Sequence, residues 1–328
     1  MHMGNGVNRR MRMATQFTYG GPDVLTVVET DRPGPQPGEV LVQVTAASVN
    51  HGEIKIRAGL IPQIGPPPFT LGSDLAGIVA ATAPDVTRFR PGDEVYGIYF
   101  IGTYADYVTV PATNLAPIPA GLDHVHAAAL PIAALTAWQA LVDMANVHTG
   151  HRILIHAAAG GVGHLAVQIA KLRGAYVIAT ARAANHDFLY ALGADEIIDY
   201  TRADFTKTIQ DADVVLDLIG GQYGPRSLTS LRPGGLLLST AMDPGITPAQ
   251  AAAHGRRYAS VQVRPSSTDL ETISELVRDG KLQAHVQRTF PLDELPHAHQ
   301  LIESGHVTGK LIITLDSTNR ARASRQSD

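Results

Sequence analysis

The chain has 328 residues and no cysteine, which excludes disulfides, a cysteine nucleophile, iron–sulfur clusters and thiolate zinc sites. Charged residues make up only 17% of it, 26 basic against 30 acidic for a net charge of −4, and both signs are interspersed, so nothing attracts nucleic acid or an anionic membrane. The length suits two domains of about 150 residues, and no apolar run approaches the length of a membrane span.

Residues 1–12 hold Arg9, Arg10 and Arg12 with no apolar signal core behind them, so this start is expected to be disordered and the protein cytoplasmic. From 13 to 120, turn formers such as Gly20-Gly21-Pro22 and Pro66-Pro67-Pro68 separate short apolar or β-branched runs. Val24–Val28, Glu39–Thr45, Ile78–Ala81, Glu94–Ile98 and Tyr104–Val110 read as strands of a compact β-rich domain. The rhythm changes near residue 124, where His126–Met144 reads as a helix interrupted by Pro131. Strand Arg152–His156, helix Val162–Arg173, strand Tyr176–Thr180 and helix Asn185–Leu192 come next, then strands Glu196–Ile198, Val214–Leu218 and Leu236–Thr240. This alternation predicts a parallel sheet with right-handed crossovers. Asp269–Asp279 is a further helix, and Val286–Phe290 and Leu311–Leu315 look like strands returning to the first domain. Residues 317–328 are polar and aperiodic, a second expected tail. The fold class is therefore α/β, with a β-rich domain over 13–123 and 266–316 and a doubly wound parallel sheet over 124–265.

The strongest local signal is Arg152-Ile-Leu-Ile-His156 followed by Ala157-Ala-Ala-Gly160-Gly161-Val162-Gly163 and a helix. A strand that ends in glycines and opens into a helix gathers backbone N–H groups and the helix dipole at one point, a site for pyrophosphate. Ala158 takes the first glycine place, Gly160 lets phosphates approach, and Gly163 lets the helix pack on the strand. A turn with a purely structural role is the alternative. The next strand ends Thr180-Ala181-Arg182, with no acid before Asp187 to accept a ribose 2′-OH as in NAD sites. Arg182 can pair with a 2′-phosphate that a carboxylate would repel, which favours NADPH over NADH; the alternative is a solvated arginine.

With Ala46-Ala-Ser-Val-Asn50, Arg57-Ala-Gly59, Leu71-Gly-Ser-Asp-Leu-Ala-Gly77, Phe89-Arg-Pro-Gly-Asp-Glu-Val-Tyr96 and Leu130-Pro-Ile-Ala-Ala-Leu-Thr136 added, the chain resembles the medium-chain dehydrogenase/reductase superfamily. The likeness is to its zinc-independent quinone oxidoreductase branch, that of zeta-crystallin. Ala191-Leu-Gly-Ala-Asp195, Leu216-Asp-Leu-Ile-Gly220 and Leu231-Arg-Pro-Gly-Gly235 extend it to about 13–315. The resemblance implies a GroES-like catalytic domain, a Rossmann nucleotide domain and a homodimer. Alcohol dehydrogenases of the superfamily hold catalytic zinc with Cys, His and Cys; the matching positions here are Asn50, Ser73 and Ile132, a donor set unsuited to zinc, so no metal is expected. Without a Lewis acid, the implied reaction is hydride transfer from NADPH to a quinone or α,β-unsaturated carbonyl.

The resemblance also implies roles by position. Asn50 matches an active-site Asn near the nicotinamide, able to bond the substrate carbonyl or the carboxamide, and His51 beside it can face the cofactor phosphates. Thr136 matches a pyrophosphate or nicotinamide contact, Gly160, Gly161, Val162 and Gly163 the phosphate turn, Thr180 and Arg182 the adenosine ribose edge, and Tyr200 an aromatic flanking adenosine. Leu218, Ile219 and Gly220 match the wall over the nicotinamide, Ser239 the end of the next strand, and Lys310 a C-terminal lysine that reaches the cleft. Plain core, loop or surface roles stay open for these residues. Glu53 stands where relatives more often carry Asp, and Lys55 and Ile61 stand where some have Tyr, which argues against a pocket walled by bulky aromatics. Proton donors to the reduced substrate are Lys55, Tyr99, Tyr104, His51 or water, with Lys55 or solvent preferred. The pairs His124/His126 and His297/His299 are expected on the surface. An enoyl-thioester reductase of acyl or polyketide chemistry and a low-turnover NADPH-binding sensor or structural protein are the competing functions.

Overall fold

The computed structural model describes residues 10–315. Its first part runs β1 (Arg10–Gln16), β2 (Leu25–Asp31), β3 (Glu39–Ser48), α1 (His51–Arg57), β4 (Phe69–Thr70), β5 (Asp74–Thr82), β6 (Glu94–Ile98), β7 (Tyr107–Pro111) and β8 (Leu115–Pro117). The second runs α2 (His124–Ala128), α3 (Pro131–Trp138), β9 (Arg152–Ile155), α4 (Gly163–Leu172), β10 (Tyr176–Ala181), α5 (His186–Ala191), β11 (Glu196–Asp199), α6 (Phe205–Thr208), β12 (Ala212–Asp217), α7 (Tyr223–Ser227), β13 (Leu231–Ser239), α8 (Pro248–Ala253) and β14 (Arg257–Ser260). The chain closes with α9 (Ser267–Arg278), β15 (Val286–Pro291), α10 (Leu295–Glu303) and β16 (Lys310–Thr314).

Strands β11-β10-β9-β12-β13-β14 form the expected parallel sheet, in that order. Its central strands are apolar on both faces because both are covered. Along β9, Ile153 and Ile155 enter the core that holds Leu165 and Leu135, while Leu154 between them joins Ile178, Val215 and Phe205 on the other side. The β-rich part is a sheet of order β15-β16-β3-β5-β6-β8 with β7 also on β3, beside a small β2-β1-β4 sheet. The two closing strands thus return to β3, through antiparallel pairing of Ile312 with Ser48 and Ile313 with Ala47.

Two expectations are corrected. Arg10 and Arg12 do not belong to a loose start: they open β1, paired with Asp31 and Glu29, and the Arg12 N–H donates to Asp106 at 2.8 Å. Residues 1–9 and 317–328 of the expected tails lie outside the described residues. The helical stretch does break at Pro131: α2 ends at Ala128 and Pro131 begins α3, where its missing N–H is harmless, and Gln139–Met144 then widen into a π-helical turn. His299 is not on the surface but fully buried on α10.

The partner of His299 is Arg57, also buried, at the end of α1. Its guanidinium donates to Gly20 O at 3.1 Å, to His299 Nδ1 at 2.9 Å and to Glu303, clamping α1 to α10. Because a guanidinium only donates, His299 Nδ1 accepts; burial first and the Arg57 charge second lower its pKa to about 3. Arg57→Met should therefore destabilise the protein by about 3 kcal/mol in urea unfolding, the order seen when one partner of a buried charge pair is removed. Glu303 is partly solvated, so Glu303→Gln should cost under about 1 kcal/mol. Equal small losses would show that Arg57 is no clamp.

Candidate active site

Between β9 and α4 the backbone turns back on itself, with Ala157 at φ 48°. Ala158 N–H donates to Thr180 O at 3.2 Å and Gly160 N–H to Ala157 O at 3.0 Å. A Cβ on Gly163 would lie 2.6 Å from the Ala158 Cα, so only glycine lets α4 start so close to the strand. Among the described residues the N–H groups of Gly161 and Val162 meet no protein acceptor, and they lie at the positive end of α4. Two buried histidines brace this turn. His164 Nε2 accepts from the His285 N–H at 3.0 Å, so its Nδ1 carries the proton donated to Gly160 O at 2.8 Å; burial lowers its pKa to about 4. His156 lies between Thr180 Oγ1 at 3.2 Å and Ser227 Oγ at 3.0 Å, and burial lowers its pKa to about 3. The Thr180 hydroxyl is thus turned into the protein.

At the end of β10, Arg182 Nε donates to Tyr200 OH at 2.9 Å, bringing together two residues 18 apart in the chain. Both are exposed, and the two Arg182 amino groups have no protein partner among the described residues. At the end of β12, buried Asp217 accepts from the Ile219 and Gly220 N–H groups at 2.9 and 3.0 Å and from Ser239 Oγ at 3.3 Å. Burial raises the Asp217 pKa against these bonds. The turn leaves Ile219 exposed, Leu218 partly so, and the Ser239 hydroxyl consumed inside.

Facing the glycine turn is a buried charged cluster at the start of α1. Asp74 accepts from Ser48 Oγ, from Asn50 Nδ2 at 2.9 Å and from the Ile132 N–H at 2.6 Å, and the Lys310 ammonium stands 3.6 Å away. Lys310 donates to Asn50 Oδ1 at 2.6 Å, and Asn50 Nδ2 also donates to Glu53 at 3.1 Å. Glu53 accepts the Tyr104 hydroxyl as well; burial raises the pKa of both groups. Tyr104 is fully enclosed, so it has no access to a substrate. Thr136, on α3, spends its hydroxyl on Ile132 O at 2.6 Å. His51 opens to solvent, yet surrounding protein first, then the Lys310 and Lys55 charges, lower its pKa. Lys55 is half-buried and has no hydrogen-bond or ionic partner among the described residues.

These residues do not fit a zinc ion. The Asn50 amide is already committed, Ser73 Oγ donates to Phe100 O at 3.1 Å, and Ile132 offers only a backbone N–H. No group of three or more His, Cys, Asp or Glu able to hold a metal occurs among the described residues. A dinucleotide fits: Gly161 and Val162 supply free N–H groups, and with no side chain at Gly161 the Lys310 stem can pass over the turn, its Cδ 3.0 Å from where a Cβ would sit.

Residues 36–120 match the family of the alcohol dehydrogenase GroES-like domain, and residues 192–313 that of the zinc-binding dehydrogenase. A quinone oxidoreductase structure from Coxiella burnetii is 36% identical, with a TM-score of 0.87 over 94% of this chain and 100% of that one. The chain belongs to the quinone oxidoreductase branch of the medium-chain dehydrogenase/reductase superfamily. A mitochondrial NAD(P)H oxidoreductase of Mus musculus is 33% identical over 85% of this chain and 82% of its own length. An Escherichia coli quinone oxidoreductase complexed with NADPH is 27% identical, with a TM-score of 0.86 over 93% of this chain and 100% of that one. Polyketide synthases and an enoyl reductase structure also match. This quinone oxidoreductase-like protein is an oxidoreductase of a family that uses pyridine nucleotides.

Asp74, Ser48, His156 and His164 are site residues that sequence reasoning does not single out. His164 and His156 flank the glycine motif directly, and Ser48 and Asp74 lie inside the segments 46–50 and 71–77 that carry the resemblance.

The buried histidines set an acid limit. His156, His164 and His299 have folded pKa values of about 3, 4 and 3 against 6.5 when unfolded, so the unfolded chain takes up their protons first. Their contribution is complete above about pH 6.5 and is lost as pH falls below it. Urea midpoints should drop steeply between about pH 6 and pH 4.5, with uptake of about three protons on unfolding, and His299→Gln should remove about one. An unchanged slope in that variant would contradict a neutral buried His299.

Proposed function

We propose that the protein is an NADPH-dependent, metal-free reductase that delivers hydride to a quinone or an α,β-unsaturated carbonyl. The observation that supports it best is the Arg182–Tyr200 pair: a cation with two unused amino groups, held beside the phosphate turn where an acid would select NADH. The N–H groups around Gly160, Gly161, Val162 and Gly163 would hold the pyrophosphate, Arg182 the 2′-phosphate, and Tyr200 the adenosine. Leu218, Ile219 and Gly220 would wall the nicotinamide, with Ser239 behind them and Thr136, Asn50, His51 and Lys310 opposite. Bound NADPH supplies the hydride; the protein orients it, keeps water out and places charge beside the acceptor. Lys55, as an unpartnered ammonium on α1, belongs to this face.

We also propose a cytoplasmic homodimer. β14 forms one edge of the parallel sheet, and such an edge is suited to pairing with a second copy.

Purified protein with NADPH should oxidise the cofactor when given a naphthoquinone or an alkenal, followed by its absorbance. Turnover of a crotonyl thioester alone would favour the enoyl-thioester reading, and no turnover with any acceptor would remove both enzyme readings. Arg182→Ala should weaken NADPH binding tenfold to a hundredfold, about 2 kcal/mol for a charge-assisted contact, and leave NADH unchanged. Equal losses for the two nucleotides would sink the choice of NADPH.

A further inference from the structure

The Asn50 amide has no donor left for a substrate. An amide nitrogen has two protons, and those of Asn50 go to Asp74 at 2.9 Å and Glu53 at 3.1 Å. Its orientation follows from its neighbours, because an ammonium only donates and the two carboxylates accept. Ser48 gives its proton to Asp74 and Tyr104 gives its own to Glu53. An ammonium has three protons, and Lys310 spends two: on Asn50 Oδ1 at 2.6 Å and on Val49 O at 3.3 Å. Asp74, at 3.6 Å, attracts the charge without forming a hydrogen bond. The one N–H still available in this cluster therefore belongs to Lys310.

Its position suits that role. The Lys310 stem crosses the phosphate turn, with its Cδ 3.0 Å from where a Gly161 Cβ would sit, so the ammonium lies between that turn and the start of α1. Gly309 N–H donates to Ala159 O at 2.8 Å, Lys310 N–H to His285 O at 2.9 Å, and Thr308 Oγ1 to Asn185 Oδ1 at 3.0 Å. The bonds to Ala159 and Asn185 pin the approach to β16 on the nucleotide fold.

We propose that Lys310 is the electrophile and proton donor of the reduction, with Asn50 and Asp74 as its positioning residues. This rests on the reductase reading above. The acceptor's electron-poor carbon forms a C–H bond with the hydride released from C4 of the reduced nicotinamide, whose C–H bond breaks. The electron pair of the conjugated system moves to the carbonyl oxygen, where the Lys310 N–H meets the developing charge and transfers its proton. The nucleotide is oxidised by two electrons, the acceptor becomes an enol that tautomerises to the saturated ketone or the hydroquinone, and the amine regains its proton from water.

Lys310→Met should lower kcat for naphthoquinone about a hundredfold, the scale of a lost general acid, while NADPH affinity by fluorescence titration stays within about threefold. Lys310→Arg keeps the charge and the Asp74 ion pair, and decides the matter if the Met variant fails to fold. It should lose less rate, because a guanidinium keeps positive charge and N–H donors beside the acceptor oxygen. Bound 4-nitrophenol provides a reading independent of turnover: its absorbance should report ionisation promoted in the wild type and in Lys310→Arg but not in Lys310→Met. Wild-type kcat in both variants, a loss confined to NADPH affinity, or unchanged nitrophenol ionisation would overturn the assignment. Were the wild type to reduce none of the acceptors, the reductase reading would fall too; turnover indifferent to Lys310 would sink this assignment alone.

Discussion

The site is organised around the carboxylate of Asp74, a charge with no contact with water. Left unpaired, such a group would cost several kcal/mol, so every donor it recruits is under strong constraint. Those donors come from separate parts of the chain: Ser48 at the end of β3, Asn50 at the start of α1, the Ile132 backbone on α3, and Lys310 at the start of β16. Satisfying one charge thus fixes how the β-rich sheet, the first helices of the second half and the returning strand meet. An arrangement that shifted any of them would leave Asp74 or Lys310 buried without its counterpart.

The two walls of the cleft are made in different ways. On the nucleotide side the groups that matter are backbone N–H groups, and side chains enter by their absence at Gly161 and Gly163. On the α1 side they are side chains held by one another. His164 joins the two, taking the His285 N–H on one ring nitrogen and giving its proton to Gly160 O on the other. It can do both only as a neutral ring, and burial keeps it so. The glycine turn and the segment leading to Lys310 therefore move together.

What the sequence reveals follows from which physics is local. Apolar runs of β9, β10 and β12, and glycines at fixed offsets after β9, encode strand and turn directly, so the nucleotide half and its phosphate turn are legible. The start of β1 is missed although Arg10-Met11-Arg12-Met13 alternates as a half-buried strand does, because arginines near a terminus look like a tail. His299 is misplaced because histidine alone says surface. Its spacing says otherwise: Leu295, Ala298, His299 and Ile302 share the buried face of α10. Asn50 and Lys310 are legible as cleft residues only through the resemblance, and their convergence on Asp74 is not legible, since these pairings are long-range and the residue types are usually exposed.

Sheet register explains why Lys310 can be placed with such economy. In the antiparallel β16–β3 pair, Ile312 lies opposite Ser48 and Ile313 opposite Ala47, and continuing that register sets Lys310 opposite Asn50. Side chains alternate between faces along a strand, so a slip of one residue would turn Lys310 away from the cleft and bring Leu311 toward Asp74. Leu311 and Ile313 are fully buried in the core of the β-rich sheet and Ile312 is buried on the opposite face, so that slip would drive the Lys310 charge into the apolar core. The hydrophobic pattern of β16 and the charge balance at Asp74 thus select the same register, and the ammonium is positioned by the ladder itself without any ligand to hold it.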